Sequence, residues 1–577
     1  MALSALLLLC VLGDPDPQGP VNPRGPVNPR GPVNPIAHFG RYQPLSIVEL
    51  YEKRMRFDRR EPLISVGLMD GQAEVRLGAT GPVRLMFDEV DLPKTVYAPA
   101  DSRFILRRSS GKPGVMRYWV IVGAAPPDQK QMMAAESGRW KAKGLATSLF
   151  DVGTIIALRG NVLDTRQWQL GVGGYPERAQ AEALMRTLAR EGQSQLFLHE
   201  ELISPPTGKI SIYDGQGILL HQARDSVYVG TVAGARLKVD RVEHSRGYKN
   251  AGFEDREYHG QLYVVIDGAG KLAVVSSVGA ETLLAGLVPA EIFATSPLEA
   301  LKAQAVTARG EIFSKLAHRH FGDPFHLCSE QHCQVYSGAT AQQPSTDRAV
   351  VETRGLLAFR PRGKPGEPLA LVDSVYSSSC GGHSETNETV WGTPPSASLR
   401  ARADEIGEDP AFERFRGVLD ESNLRAFLES YPPSACARAS LADAKRYRWQ
   451  KSFSAAELDA IAAPLGLGHL LRVSVLGRGP GGRVTGLRLE GTTGATEILR
   501  ELPVRRLFGN LYSGLFVLDA DTDAAGQIIR LRFTGGGWGH GVGMCQMGAI
   551  GRAERGQDFR QILSHYYSGA VVEQIYD

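Results

Sequence analysis

The segment LLAGLVPAEIFATSPLEALKAQAVTARGEIFSKLAHRH, residues 283–320, decides how the chain is read. Ser296, Pro297 and Glu299 read as the N-cap, the first helical residue and the third-position acid of a capping box. Behind them Leu298, Leu301, Ala305, Ala308, Ile312 and Leu316 recur at helical spacing, which predicts a helix over 297–319 with one apolar face. Just upstream, Glu291 stands among Leu287, Val288, Pro289, Ala290, Ile292 and Phe293, with no Lys or Arg close by in sequence. Desolvation in such surroundings raises a carboxyl pKa, as a general acid requires. A capping or turn role is the ordinary alternative for a carboxylate placed there.

Toward the N-terminus the periodicity changes from helical to alternating. KISIYDG, VYVGTVAG, ARLKVDRV, GQLYVVIDG and KLAVVSSV, between 208 and 278, read as strands that surround the later helix. LISVGLMDG and AEVRLGATGPVRLMF predict a small β unit within 45–115. Between these regions the order is strand, helix, strand, strand, helix, strand over residues 116–204. The clearer of the two helices lies between Tyr175 and Gly192, with Ala181, Leu184 and Leu188 on one face and Gly192 as its stop. A βαββαβ order is that of a ferredoxin-like α+β module.

The chain has 577 residues, 43% apolar and 22% charged, so two or more globular domains are expected. With 65 Lys+Arg against 62 Asp+Glu, the net charge of +3 gives no basic field for nucleic acid. Residues 1–13, MALSALLLLCVLG, contain a short apolar stretch that reads as a signal or anchor segment, with Cys10 as a candidate lipid-attachment site. No later segment is apolar over the roughly 20 residues a membrane helix needs. In 14–44, GPVNPR repeats from Gly19 and Gly25 and GPVNPI follows from Gly31, which reads as an extended linker.

Three further motifs carry chemistry. In PFHLCSEQHCQVY, His326, Cys328, His332 and Cys333 lie within eight residues, shortly after His318 and His320. Two thiolates with two imidazoles are a tetrahedral zinc set, structural because four protein ligands leave no open position. A Cys328–Cys333 disulfide is the competing reading. SSSCGGHSETNETVWG, residues 377–392, is small and glycine-rich, suited to close approach of a sugar. Cys380 with His383 would be a thiol nucleophile only with an ordering third group, which the sequence does not show. GGGWGHGVGMCQMGA, residues 535–549, lacks the Lys-Ser/Thr of a phosphate loop, so His540 and Gln546 read as cleft-lining groups. Trp391 and Trp538 are candidate sugar-stacking aromatics. A single closing helix is expected after Ala549, packing by Phe559, Ile562, Leu563 and Tyr566.

VPAEIFATSPLEALKAQAVTAR, HLCSEQHCQVYSG, VYSSSCGGHSETNETVWG and GGGWGHGVGMCQMGAIGRAERGQDFRQILSHYYSG together resemble, in order, the blocks of the stage II sporulation protein D/amidase enhancer family. The resemblance implies a peptidoglycan lytic transglycosylase with Glu291 as its catalytic acid/base. It also implies zinc held by Cys328, His332 and Cys333, with His320 or His326 as the fourth ligand. Residues 377–392 resemble the family's substrate-binding loop, so Ser379, Cys380, Gly381, Gly382, His383 and Trp391 join Trp538, His540 and Gln546 as candidate substrate-binding residues. The family usually carries Met-Pro after the glutamate, where this chain has Ile292-Phe293. Residues 116–204 resemble the sporulation-related repeat domain, which implies binding of denuded glycan.

The expected fold is therefore α+β. A β-rich catalytic domain over 205–577 surrounds the central helix, and a ferredoxin-like module is appended to it. The expected partners are peptidoglycan glycan strands and a cell-wall amidase, in the cell envelope, periplasmic or extracellular. Two alternatives remain. A hydrolase would take a second carboxylate from Glu385, Glu388 or Asp373, and a non-catalytic protein would bind glycan and enhance an amidase.

Overall fold

The computed structural model describes residues 44–577 apart from 59, 159, 194–195, 247–250 and 361–369. The expected signal segment and all of the linker but its last residue lie outside the described residues. The fold is α+β, as expected from the sequence.

The strands on either side of residues 116–204 join one thirteen-stranded sheet. Thr207–Asp214 pairs antiparallel with Arg103–Lys112, and Leu219–Thr231 pairs with Val83–Glu89. Leu272–Gly279 pairs with Glu61–Gln72. The small unit expected over 45–115 is thus part of the same sheet as 207–279. Its hairpins satisfy their edge N–H and C=O groups with strands more than a hundred residues away, a pairing that no local pattern announces. Gln261–Ile266 and Leu272–Gly279 are buried almost throughout, which marks them as interior strands covered on both faces.

Residues 115–204 are inserted within that sheet. Val115–Ala125, Lys130–Ala142, Thr147–Val152, Gln167–Tyr175, Arg178–Arg190 and Phe197–Ser204 follow the β-α-β-β-α-β order, with a hairpin of Ile155–Leu158 and Asn161–Asp164 added. The four strands form an antiparallel sheet with Val115–Ala125 and Gln167–Tyr175 at its centre. Trp140, Leu170, Val172, Ala181 and Leu188 fill the core beneath the helices. His199 fastens this unit to the rest, its ring lying between those of Phe150 and Phe321 at centroid distances of 4.0 and 4.1 Å.

The helix predicted over 297–319 is Leu298–Lys315, and it is buried nearly all round. The expected capping box does not form. Pro297 is the N-cap without a side-chain bond, and the Ser296 hydroxyl is buried without a partner. Glu299 instead accepts the N–H of Phe559 and binds Lys302, at 2.9 and 2.8 Å. The Phe559 N–H at the start of the Phe559–Tyr566 helix has no acceptor within that helix, and a carboxylate is favoured at a helix N-terminus, which outcompetes a cap on its own helix. A second helix, Ala280–Glu291, precedes it and carries Pro289 in its last turn; the sequence reading had no helix there. The single closing helix is two, Gln546–Ala553 and Phe559–Tyr566. Gly556, at φ +82°, breaks the path, and Asp558 and Gln561 form a capping box for the second.

Residues 205–577 are not one cored unit. Trp449, Phe453, Leu470, Leu487, Phe508, Phe516 and Phe533 form a core of their own under two three-stranded sheets, and Phe412, Phe415, Leu424 and Phe427 form a smaller one. The chain leaves the main domain after the 377–392 loop, builds these layers, and returns at Gly535–Gly539.

One ion pair joins the pieces of the main domain. Arg309, fully buried, makes a bidentate bond to Glu281 at 2.8 and 2.7 Å and donates to the Leu356 carbonyl at 3.1 Å. Tyr576 donates to the same carboxylate. Glu281→Ala strands a buried guanidinium and should destabilise the domain by about 3–5 kcal/mol. Glu281→Gln should cost less. Urea unfolding of the two variants against wild type checks both.

Candidate functional site

A cleft of about 750 Å³ lies where the end of the Ala280–Glu291 helix meets the 378–379 loop, the 535–549 segment and residues 436–447. Glu291 is the last residue of its helix and opens onto this cleft. One carboxylate oxygen accepts the N–H of Val335 at 2.7 Å. Burial raises the carboxyl above its ordinary value, outweighing the bonds from Val335 and Tyr376, and Glu311 adds a smaller push in the same direction. Although part of its surface reaches solvent, protein atoms enclose most of the carboxyl. Gln546 holds the helix end, donating from its amide to the Glu291 carbonyl at 2.7 Å and to Gln304 at 3.2 Å.

Of the candidate substrate-binding residues, Ser379, Trp538 and Gln546 line the cleft with Glu291. Arg446 sits over the Trp538 ring, 3.7 Å from its centroid, so a sugar stacking on that face would have to displace a guanidinium. Cys380, Gly381, Gly382 and His383 are buried behind the wall. Gly381 and Gly382 have φ of +73° and +96°, a conformation that turns the loop tightly against Gly536–Gly537. The two ring nitrogens of His383 lie 2.9 and 3.1 Å from the carbonyls of Ser384 and Gly417, and burial lowers it to about 4, so as the neutral ring it donates to one of them and is structural. Trp391 packs against His540, which bonds the Tyr376 carbonyl and is lowered by burial to about 3. Neither lines the cleft.

The carboxylates weighed as a second acid are engaged elsewhere. Glu385 accepts backbone N–H groups of Thr386, Gly481 and Arg483. Glu388 binds Arg400, and Asp373 binds Lys315 at 2.7 Å. Asp443 is the other acid on the cleft wall; it caps the Ala444–Tyr447 helix and pairs with Arg446 at 3.3 Å. Sequence reading missed Asp443, Arg446 and Phe293. Phe293 stands 52% exposed on the cleft rim, and an aromatic two residues after the candidate acid was the available signal.

Of the two candidate histidines beside the Cys/His motif, His320 lies against the thiols and His326 does not. His320, Cys328, His332 and Cys333 bring their ligand atoms within 4.8 Å of one another. Cys328 Sγ and Cys333 Sγ each lie 3.7 Å from His332 Nδ1, and His320 Nε2 lies 3.3 Å from Cys333 Sγ. Asp323 binds His320 Nδ1 at 2.8 Å and turns Nε2 toward the sulfurs. The hydrogen bond from Cys328 lowers the Cys333 thiol to about 7. His326 is excluded, because its Nδ1 is held by Ser65 and its Nε2 by the Lys53 carbonyl. Leu327–Cys328 pairs in parallel with Val66–Gly67 and fixes the loop to the sheet; Gly67 leaves the room that the Phe325 ring fills.

The model of a family described as "Stage II sporulation protein" matches residues 268–359, which contain Glu291 and all four of these metal-type ligands. This part of the chain is similar to that family. A second model, of a domain of unknown function, matches residues 385–543, the region with its own cores. An uncharacterized protein of Brachyspira hyodysenteriae is 28% identical over 319 residues, 55% of this chain and 72% of that one. The amidase enhancer of Bacillus subtilis is 26% identical over 307 residues; the match covers 50% of this chain and 40% of that protein. A putative exported protein of Burkholderia pseudomallei superposes with a TM-score of 0.15 at 12% identity, which carries no argument about fold.

With its carboxyl raised in the folded state, Glu291 favours stability below the unfolded pKa, and that contribution is lost as pH rises through the folded value. Glu291→Gln keeps the acceptor for Val335 and removes the charge. It should melt above wild type near pH 7, and the difference should close near pH 4, measured by thermal unfolding at the two pH values.

Proposed function

We propose that this protein acts on the bacterial cell wall in the envelope, periplasmic or extracellular, as a lytic transglycosylase that cleaves MurNAc–GlcNAc bonds of denuded peptidoglycan strands. The observation that carries the reading is a carboxyl raised by burial, opening onto a cleft whose other acid, Asp443, caps a helix and pairs with Arg446. One carboxyl suffices for this chemistry. Glu291 gives its proton to the glycosidic oxygen, then as carboxylate takes the proton of the muramyl 6-hydroxyl while that oxygen attacks the anomeric carbon, leaving a 1,6-anhydro end. A hydrolase would need a second carboxylate positioned for a water or for covalent attack. Glu385, Glu388 and Asp373 are not on the cleft wall.

Residues 115–204 support glycan binding in this reading, through their resemblance to the sporulation-related repeat domain and the ferredoxin-like order of their elements. His320, Cys328, His332 and Cys333 would hold a structural zinc ion, since three of their mutual distances, 3.3 to 3.7 Å, suit the edges of a tetrahedron built on bonds of about 2.0–2.3 Å. The ion would fix the loop that leads to Val335 and so position the N–H that binds Glu291.

A second reading rests on the name of the relative from Bacillus subtilis, an amidase enhancer: a protein that binds glycan and assists a cell-wall amidase without cutting. Mass spectrometry of denuded glycan strands after incubation separates the two. Anhydro-muramyl products are expected, reduced by about 10²–10⁴-fold in Glu291→Gln. Intact glycan with binding retained in both proteins would leave the enhancer reading, and reducing-end products would indicate hydrolysis. For the metal, His320→Ala should lose the zinc equivalent whereas His326→Ala should keep it and only lower the melting temperature, measured by elemental analysis and thermal unfolding.

A further inference from the structure

A second cluster of metal-type ligands lies apart from the loop just described. Cys380, Asp404, Cys436 and Cys545 are all buried, and their ligand atoms lie within 4.8 Å of one another. They come from three separate places: Cys380 from the loop behind the cleft wall, Asp404 and Cys436 from the excursion between the 377–392 loop and Gly535, and Cys545 from the residue before Gln546. We propose that these four side chains form a second, structural metal site of composition S3O that takes a thiophilic divalent cation, Zn²⁺.

The spacing is that of a coordination shell. Cys380 Sγ lies 3.6 Å from Cys436 Sγ and 3.6 Å from an Asp404 carboxylate oxygen. A tetrahedral zinc ion with bonds to sulfur of about 2.3 Å sets neighbouring sulfurs roughly 3.8 Å apart. Three edges of the first cluster measure 3.3 to 3.7 Å. The surroundings suit thiolates as well. Cys545 Sγ accepts the N–H groups of Cys380 and Gly548 at 3.1 and 3.3 Å, the second of these at the start of the Gln546–Ala553 helix. Ser434 Oγ lies 3.3 Å from Cys436 Sγ and is itself held by Tyr447.

Asp404 is oriented for the role. One carboxylate oxygen takes bonds from Arg552 and Tyr566 at 2.9 and 2.8 Å. The other faces the sulfurs and accepts the N–H of Cys436 at 3.0 Å. Outer contacts of this kind aim a ligand at a metal, and Arg552 offsets part of the excess negative charge of three thiolates and a carboxylate. A Cys380–Cys436 disulfide is the rival. It would leave Cys545 as a lone thiol and give the aimed carboxylate nothing to bind. On binding, each thiol releases its proton to solvent and no oxidation state changes.

Cys436 and its neighbours Ser379 and Gln546 border the cleft. A cation here would clamp the excursion, the 378–379 wall and the Gln546 segment together, and so hold the Glu291 carbonyl in place at one remove.

The test is zinc content of the full chain, measured by elemental analysis after exhaustive dialysis. Cys328→Ser/Cys333→Ser disables the first cluster and leaves the second intact; it should retain about one equivalent of zinc. Cys436→Ser should hold about one equivalent less than wild type, whatever the first cluster binds. Loss of all zinc from the Cys328→Ser/Cys333→Ser protein while it remains folded by circular dichroism would overturn the proposal. So would an unreduced wild-type peptide map showing Cys380 linked to Cys436, a measurement that needs no variant to fold.

Discussion

A helix buried on every side can persist only if something satisfies its polar groups and if other elements wrap it, and the pair Arg309–Glu281 meets both needs at once. Arg309 emerges from the middle of Leu298–Lys315, where no water reaches it. Its bonds go to the first turn of Ala280–Glu291 and to the strand Leu356–Arg360, and Tyr576 at the C-terminus completes the carboxylate's partners. The helix that ends in Glu291 is thereby anchored at its beginning. Desolvating both charges is costly, and bidentate geometry with further hydrogen bonds is what offsets it.

The cleft inherits its order from this arrangement. Glu291 is held through its backbone by Gln546 and through its carboxylate by Val335, which follows the loop carrying His332 and Cys333. Each holder belongs to a different segment, 335 and 546 against 291, so the acid is positioned by tertiary contacts rather than by its own helix. The same segments run into the two clusters of Cys, His and Asp side chains, both C-terminal to the acid in sequence.

The correspondence between sequence and structure is uneven for identifiable reasons. Alternating strands and the β-α-β-β-α-β order were legible because period and turn residues are local. The helix core at 298–315 was legible from its apolar face, yet its cap was misread, since Glu299 serves the Phe559–Tyr566 helix that lies 260 residues later. Helix Ala280–Glu291 was not legible because it is apolar all round, with Pro289 near its end arguing against it. The joining of 56–112 with 207–279 was hidden by the 115–204 insertion.

By itself the sequence determined the alternating strands, the helix core at 298–315, the place of Glu291 as an acid in an apolar run, and a Cys/His set of zinc type. It could not choose between His320 and His326, both at plausible spacing from Cys328, because the choice depends on Ser65 and Lys53 occupying the ring of His326. Nor could it show that Cys380, Cys436 and Cys545, 165 residues apart from first to last, converge with Asp404. Only the tertiary structure decided these, since a hydrogen bond or a ligand shell is set by distance in space, and a buried side chain's partners are whichever segments the core brings to it.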